Sequence, residues 1–276
     1  MSRFSYGWYA MDKISHALSE FREMDALAAQ DSPIHRMHPL IKLLITLGYI
    51  LVVVSFDKYQ LSALAVMVLY PILLFQLSGI PVRTCFYKLR VVLPLVCAVG
   101  LLNPFYDRAP LLQLGNIAVS GGVISMITLM LKGVFALMAS FLLIATTPMD
   151  ALCAALRKLH VPSLLVTLLL LTYRYVSVML HEVSVMSEAY HLRAPGQKGI
   201  HISAWGSFLG QLLLRSMDRA ETLYESMQLR GFHGEFYYAE IPPCKLGAVI
   251  FAIGCAAFFA AARCWDLPQL LGNLIT

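Results

Sequence analysis

The stretch SLLVTLLLLTYRYVSVMLHEVSVMSEAYHLRAPG, residues 163–196, decides how this chain is read. From Ser163 to Leu192 it holds neither proline nor glycine, so one helix of about 45 Å is expected at 1.5 Å per residue. Its first turns are apolar, with Leu164, Leu165 and Leu168 to Leu171. Further along, Arg174, Ser177, His181, Ser184, Glu188 and His191 recur at spacings of three and four and lay down one polar stripe. That stripe suits either a solvated face or contact with a partner helix. The segment closes in an arginine turn, Leu192-Arg193-Ala194, ahead of Pro195 and Gly196.

A second helix is expected over Ala204 to Leu229. Trp205, Phe208, Leu212, Met217, Ala220, Leu223 and Met227 line one side, while Asp218, Arg219, Glu221 and Glu225 supply the other. Such a helix belongs at a membrane–water boundary rather than across a bilayer. It too ends in an arginine turn, Leu229-Arg230-Gly231, with Arg230 placed 37 residues after Arg193. A glutamate precedes each turn, Glu188 in one case and Glu225 in the other. Arginine suits the tip of a docking helix, because its planar fork makes bidentate hydrogen bonds to carboxylates and stays charged in a partly dry groove. The small residue that follows, Ala194 or Gly231, leaves the helix end slim enough to enter a cleft. A lone arginine near a helix C-terminus commonly just caps it. Two on consecutive helices point to docking.

The rest of the chain is a membrane protein by composition. Hydrophobic residues make up 59% and charged residues 13%, against about 25% charged in soluble chains, and the mean hydropathy is +0.70. The net charge of +5 implies no nucleic-acid partner. The six cysteines show neither a CxxC pair nor zinc spacing and read as reduced, packed residues. The first 39 residues are polar and charged, so no cleavable signal peptide is expected there. An amphipathic segment at residues 12–30 carries Ile14, Leu18, Phe21, Met24 and Leu27 on one side and suits a membrane surface or packing under the transmembrane bundle.

Five spans are expected: Leu40–Phe56, Leu61–Leu77, Val91–Phe105, Gly122–Ala145 and Leu246–Ala262. Pro94 should kink or tilt the third. Lys132 in the fourth faces a neighbouring helix, snorkels, or marks a polar spot used by a partner or substrate. In the last span, Ala248, Ala252, Ala256 and Ala260 form a small-residue ladder suited to close helix packing, within the chain or against another membrane subunit. Arg36, Lys42, Arg83, Lys88 and Arg90 fall on one side and place the N-terminus in the cytoplasm of a multi-pass protein of the cell membrane. The expected organisation is therefore an all-α polytopic membrane protein. It comprises an N-terminal cytoplasmic segment (1–39), four spans (40–146), a cytoplasmic helical region (147–244) and a final span with a short external tail (245–276).

With these turns in place, the sequence resembles the transmembrane T component of energy-coupling factor transporters, vitamin and metal importers powered by ABC-type ATPases. That family carries two Ala-Arg-Gly turns on cytoplasmic coupling helices. Here both turns keep the arginine, only the second keeps the glycine, and neither keeps the leading alanine. The resemblance extends to Asp31-Ser32-Pro33-Ile34-His35-Arg36-Met37-His38-Pro39 with Lys42-Leu43-Leu44, and to Pro148-Met149-Asp150, Leu156-Arg157-Lys158-Leu159 and Val161-Pro162. Asn103-Pro104-Phe105-Tyr106-Asp107 and Arg230-Gly231-Phe232-His233-Gly234-Glu235-Phe236 are more similar to the cobalt-type members than to the vitamin-type ones.

The resemblance implies a transport subunit without enzymatic activity, docking two ABC-type ATPase subunits through Arg193, Ala194, Arg230 and Gly231 with Glu188 and Glu225 nearby. A separate substrate-binding membrane subunit would rest against Trp205, Phe208, Leu212, Met217, Leu223 and Met227. No GxxxxGK[ST] phosphate loop occurs, so ATP would be used by the partners and no cofactor is bound by this chain. A substrate-conducting ABC permease is the nearest alternative, although one docking loop is usual there. An integral-membrane enzyme is the other. Asp150, Asp218, Glu221 and Glu225 make no acidic motif for metal-assisted chemistry, and histidines 35, 38, 181 and 191 make no metal-ligand set.

Overall fold

The computed structural model describes residues 19–57, 61–106, 110–114, 117–195, 197, 199–234 and 246–264. The part of the amphipathic 12–30 segment before residue 19 lies outside them. The chain divides into two units, Leu27–Pro148 with Glu240–Thr276, and Met1–Ala26 with Met149–Ala239. A helix over residues 19–28 (α1) opens the described chain.

The first unit is led in by a turn that bonds to itself. Arg36 donates from Nε to Asp31 Oδ1 at 2.6 Å, and that hydrogen bond holds the Asp31 carboxyl below the usual carboxylate range. The His38 ring accepts from the Leu40 N–H at 3.2 Å and so caps α2, Pro39–Ser55, with Pro39 in its first turn.

The second hydrophobic run is not one helix. It splits into α3 (Leu61–Val66) and α4 (Leu69–Ser78). Pro71 is the cause, because it has no N–H and its ring displaces the carbonyl four residues back, that of Met67. The freed Met67 carbonyl accepts from the buried Tyr49 hydroxyl at 3.0 Å. Tyr49 stacks on Tyr70 with centroids 4.4 Å apart, and Phe259 closes the cluster at 5.5 and 5.3 Å. Gly79 then ends α4 in the left-handed region (φ 71°), and the chain turns through 115° into α5, Val82–Leu89.

The third run begins late, as α6, Leu93–Tyr106. Pro94 falls in its first turn, where a missing N–H costs nothing, so the proline starts the helix and does not kink it. A short antiparallel hairpin follows, β1 (Pro110–Leu114) with β2 (Ile117–Ser120). It leads into α7, Gly121–Thr146, the helix on which the unit is assembled. α6 and α7 approach closely through one glycine each. A Cβ on Gly100 would stand 2.7 Å from Met130 Cγ, and one on Gly133 would stand 2.5 Å from Val96 Cγ1. Small residues of this kind let backbones meet where lipid removes the hydrophobic drive for association.

α2 and α7 run antiparallel, and each supplies a lysine to the other's C-terminal carbonyls. Lys42 Nζ, in a buried side chain, donates to Thr146 O at 2.7 Å. Lys132 Nζ donates to Val54 O at 3.2 Å and also to Phe56 O. Lys132 therefore faces a neighbouring helix. The last carbonyls of a helix have no partner within it, and a cation there also meets the negative end of the helix dipole. His35 adds to the same end of α7, donating from Nε2 to Ala145 O at 3.3 Å and Leu27 O at 3.0 Å, while its Nδ1 lies 2.7 Å from the Ser32 hydroxyl.

The last helix, α11, covers Leu246–Cys264. Its alanine ladder is not a continuous contact face: Ala248 is buried, but Ala256 and Ala260 are exposed. Packing instead follows Ala248, Cys255, Phe259 and Ala262, a line at spacings of three, four and seven set by where the aromatic cluster sits.

In the second unit, α8 (Met149–Lys158) and α9 (Ser163–Arg193) pack through Cys153, Val166 and Leu170, with Met149, Leu156 and Val161 around them. Burial pushes the Cys153 thiol up, and Cys85, Cys97, Cys153 and Cys255 are all free thiols. α10 covers Ile202–Leu229.

This is an all-α, multi-pass membrane protein. Among the described residues, three helices are long and apolar enough to cross a bilayer: Ile124–Thr146, Ser163–Arg193 and Leu246–Arg263. Of the five expected runs, the fourth and fifth are among these. The first is a 17-residue helix, the second is broken and the third is a 14-residue helix. α9 passes the same test of length and composition because of its leucine-rich start.

Candidate functional site

α9 realises the uninterrupted helix expected from its sequence, over 31 residues. Pro162 starts it, and Arg193 is its last residue. Ala194 leaves the helical region at φ −123°, its N–H bonding to Tyr190 O at 3.0 Å, and Pro195 bars continuation. The connection to α10 is tied by one side chain: the Tyr190 hydroxyl donates to Gln197 Oε1 at 2.8 Å and accepts from the His201 N–H at 3.3 Å. His201 then caps α10 by accepting from the Ser203 N–H.

α10 ends differently. Gly231 takes φ +81°, its N–H bonds to Gln228 O at 2.9 Å, and the Phe232 N–H reaches back to Met227 O at 3.0 Å. These two bonds make a Schellman cap, which calls for a residue without Cβ at Gly231. The first turn needs no glycine, because Ala194 lies at negative φ. That accounts for the one glycine the first turn lacks relative to the resembled pattern.

Arg193 and Arg230 are both exposed, and among the described residues neither has a hydrogen-bond or ion-pair partner. Glu188 and Glu225 are exposed too and pair with neither arginine. Each stands five residues before its arginine, which turns the two side chains well away from one another on a helix. Glu188 instead accepts from Ser184 at 3.5 Å. Leu192 and Leu229, immediately before the arginines, are 84% and 90% exposed. Neither leucine gains a role from the charge and spacing pattern of its helix. Their signal was the repeated Leu-Arg pair, in which an apolar residue stands at a charged helix end.

α10 runs back along α9. Arg215 pairs with Glu182 across the two helices, and near the other end Met227 and Phe232 share a groove with Leu164 and Leu168. The two arginine turns therefore sit at opposite ends of the helix pair, separated by on the order of 40 Å for an α10 of 28 residues. Between the helices lies an open, mostly apolar groove of about 430 Å³, in which Tyr175, Met179, Leu223 and Met227 take part. Next to it is a more polar one of about 600 Å³ bearing Glu182, Arg215, Asp218 and Arg219.

The apolar side expected for α10 is divided by the structure. Phe208 is buried, with its ring 6.0 Å from that of Trp205, while Leu212, Leu223 and Met227 are half-buried. Trp205 and Met217 are exposed and join Leu209, Leu213 and Tyr224 on a second apolar stripe. The helix thus carries more apolar surface than one face, because Leu209, Leu213 and Leu214 lie outside the set that its charge pattern suggested. On α9, Arg174 of the polar stripe pairs with Asp150 of α8 at 3.4 Å, Ser177 bonds to the Arg174 carbonyl, and His181 and Glu188 face outward. The residue before Arg174, Tyr173, donates to Asp25 of α1 at 2.5 Å, and its ring lies tilted against that of Phe21 with centroids 4.7 Å apart.

Among the described residues no three His, Cys, Asp or Glu side chains come together in a way that could hold a metal ion.

Comparison with known proteins gives the relationship. The family model of the cobalt transport protein CbiQ matches residues 30–238. The cobalt transport protein CbiQ of Rhodobacter capsulatus is 30% identical over 234 residues, covering 82% of this chain and 91% of that protein. The energy-coupling factor transporter transmembrane protein EcfT of Leuconostoc gelidum subsp. gasicomitatum is 24% identical over 260 residues, covering 85% and 94%. The nickel permease LarQ of Lactiplantibacillus plantarum is 33% identical over 91 residues, a third of each chain. With its paired arginine-ended helices and apolar spans, this chain belongs to the CbiQ family of transmembrane transport components of the energy-coupling factor type.

Proposed function

We propose that this chain is the force-transmitting subunit of a transition-metal importer, with cobalt ion as its cargo. Two ABC-type ATPase subunits dock at the two arginine turns, one at the Arg193–Ala194 end and one at the Arg230–Gly231 end. The observation that carries this reading is the pair of exposed arginines, unpartnered among the described residues, each beside a protruding leucine and at opposite ends of the α9–α10 pair. The guanidinium offers a bidentate contact to a carboxylate in the ATPase groove, and the leucine fills apolar space beside it. Glu188 and Glu225 meet basic groups at the groove rim.

ATP binding and hydrolysis occur in the partners, and this chain holds no cofactor. Closure of the ATPases displaces the arginine turns, and α9 and α10 pass that movement to a separate substrate-binding membrane subunit. Trp205, Phe208, Leu212, Met217, Leu223 and Met227 contribute to that contact. The helical region faces the cytoplasm, the protein spans the cell membrane with its N-terminus inside, and the cargo ion is bound by the substrate-binding subunit. The names of CbiQ and LarQ relatives support a divalent transition metal as cargo.

The test is co-purification from solubilised membranes of wild type and the Arg193→Glu/Arg230→Glu double variant. Nucleotide-binding subunits should accompany the wild type and be lost from the variant, with membrane insertion unchanged. Wild-type protein that remains folded yet brings down no ATPase would refute the docking role.

A further inference from the structure

We propose that α5 and the start of α6 form a binding site for an anionic phospholipid, a site independent of the arginine turns. The 115° turn at Gly79–Pro81 sends α5 more across the direction of α4 than along it. Where α4 crosses a bilayer, α5 therefore lies near the plane of the membrane surface. Cys85 and Leu89 are buried and anchor one side of α5 in the unit.

The opposite side carries Arg83, Phe86, Tyr87 and Arg90, at helical spacings of three, four and seven, and all four are exposed. Among the described residues neither guanidinium has a hydrogen-bond or ion-pair partner. Together with Leu93, Pro94 and Cys97 these residues line one open cavity of about 540 Å³. Its α5 side carries two arginines two turns apart. Its α6 side is apolar, with Leu93, Pro94 and Cys97, and beyond the cavity Leu95 and Val99 of α6 are 66% and 53% exposed.

This pairing selects the occupant. A free anion would use the arginines and leave the apolar wall idle, and a zwitterionic lipid would use the wall but bring an ammonium toward the guanidinium pair. An anionic phospholipid satisfies both, its phosphate bridging Arg83 and Arg90 and an acyl chain lying along Phe86, Leu93 and Pro94. Tyr87, 61% exposed, sits between the arginines at headgroup level, as amphipathic rings do at a membrane interface.

The experiment is native mass spectrometry of the purified full-length chain in detergent, titrated with phosphatidylglycerol or with phosphatidylcholine of the same acyl chains. Wild type should retain one phosphatidylglycerol in preference to phosphatidylcholine. Arg83→Gln/Arg90→Gln should lose about fivefold in that preference per arginine, on the order of thirtyfold together. An excess of inorganic phosphate should leave the lipid in place. Equal retention of the two lipids by wild type overturns the site without recourse to any variant, and so does displacement by phosphate alone, the mark of a plain anion site. A double variant that keeps its phosphatidylglycerol but loses co-purifying protein subunits would likewise overturn it, giving the arginines to a protein partner.

Discussion

Replacing Lys42 by methionine isolates one interaction at the end of α7. Methionine keeps most of the stem length and its packing, and deletes only the ammonium that donates to Thr146 O at 2.7 Å. A hydrogen bond from a charged donor contributes about 1.5–3 kcal/mol. The carbonyl left behind belongs to the last turn of a helix in an apolar setting, where water is scarce and a lost partner is not replaced. The neighbouring bond from His35 to Ala145 O remains, so the helix end loosens without detaching. At about 2–4 °C per kcal/mol for a chain of this size, the melting temperature should fall by roughly 3–12 °C.

The assay is unfolding of the full-length protein in detergent, followed with a thiol-reactive fluorophore that reports the exposure of buried Cys85 and Cys153. Hydrogen exchange gives the local readout: the amides of the last turn of α7 should exchange faster in Lys42→Met, while those of α11 should not. A Lys42→Met protein that melts within a degree of wild type, with unchanged exchange at that turn, would refute the claim that the lysine caps α7.

Three further sets of substitutions test separate parts of the structure. Gly133→Val places a side chain where even a Cβ would lie 2.5 Å from Val96, so it should cost about 1–3 kcal/mol by overpacking α6 against α7, read as a lowered melting temperature. Gly231→Ala forces a methyl group into φ +81° and should destabilise the end of α10 by about 1 kcal/mol or more, whereas Ala194→Gly at φ −123° relieves no clash and should cost only about 0.4–1 kcal/mol, from added freedom in the unfolded chain; circular-dichroism melts compare the two. Leu192→Ala with Leu229→Ala removes only exposed side chains, so it should leave the melting temperature unchanged while weakening ATPase co-purification several-fold. Retention equal to wild type would leave the leucines without a role.

Much of this was legible from residues alone, and the exceptions have physical causes. The length of α9 followed from the absence of proline and glycine between Ser163 and Leu192, and both arginine turns were legible as helix ends. The second span reads as one run because its apolar composition hides Pro71, whose effect falls four residues upstream and is then absorbed by Tyr49 from another helix. Pro94 was legible as a perturbation but not as a helix start, since the two differ only in where the first turn begins. The alanine ladder of α11 has the right spacing for a contact face, yet the face is chosen by Phe259 meeting Tyr49 and Tyr70. Lys132 shows the general limit. A lysine inside an apolar run says that some polar partner exists, and only the fold says that the partner is the end of α2.

The two units differ in how firmly their helices are held, and under the proposed function that difference has a mechanical sense. In the first unit α2 and α7 are pinned by a lysine near each end, α6 and α7 meet glycine to side chain, and an aromatic cluster fills the break between α3 and α4. Altering those crossings would strand carbonyls in an apolar medium, a cost of several kcal/mol per group. In the second unit α9 and α10 are joined at the Tyr190 connection and by the Glu182–Arg215 pair, whose arginine is exposed and whose glutamate is half-buried, with open grooves beside it. Exposed ion pairs contribute about 1 kcal/mol or less. Under the proposed function, a push applied to either arginine turn meets these weaker ties first, so α9 and α10 would change their crossing before either helix breaks. Stiff rods joined at one end and loosely held along their length convert displacement at the tips into movement of the apolar surfaces between them. That is the property a coupling element needs, and it arises here from where the strong bonds are placed rather than from any single residue.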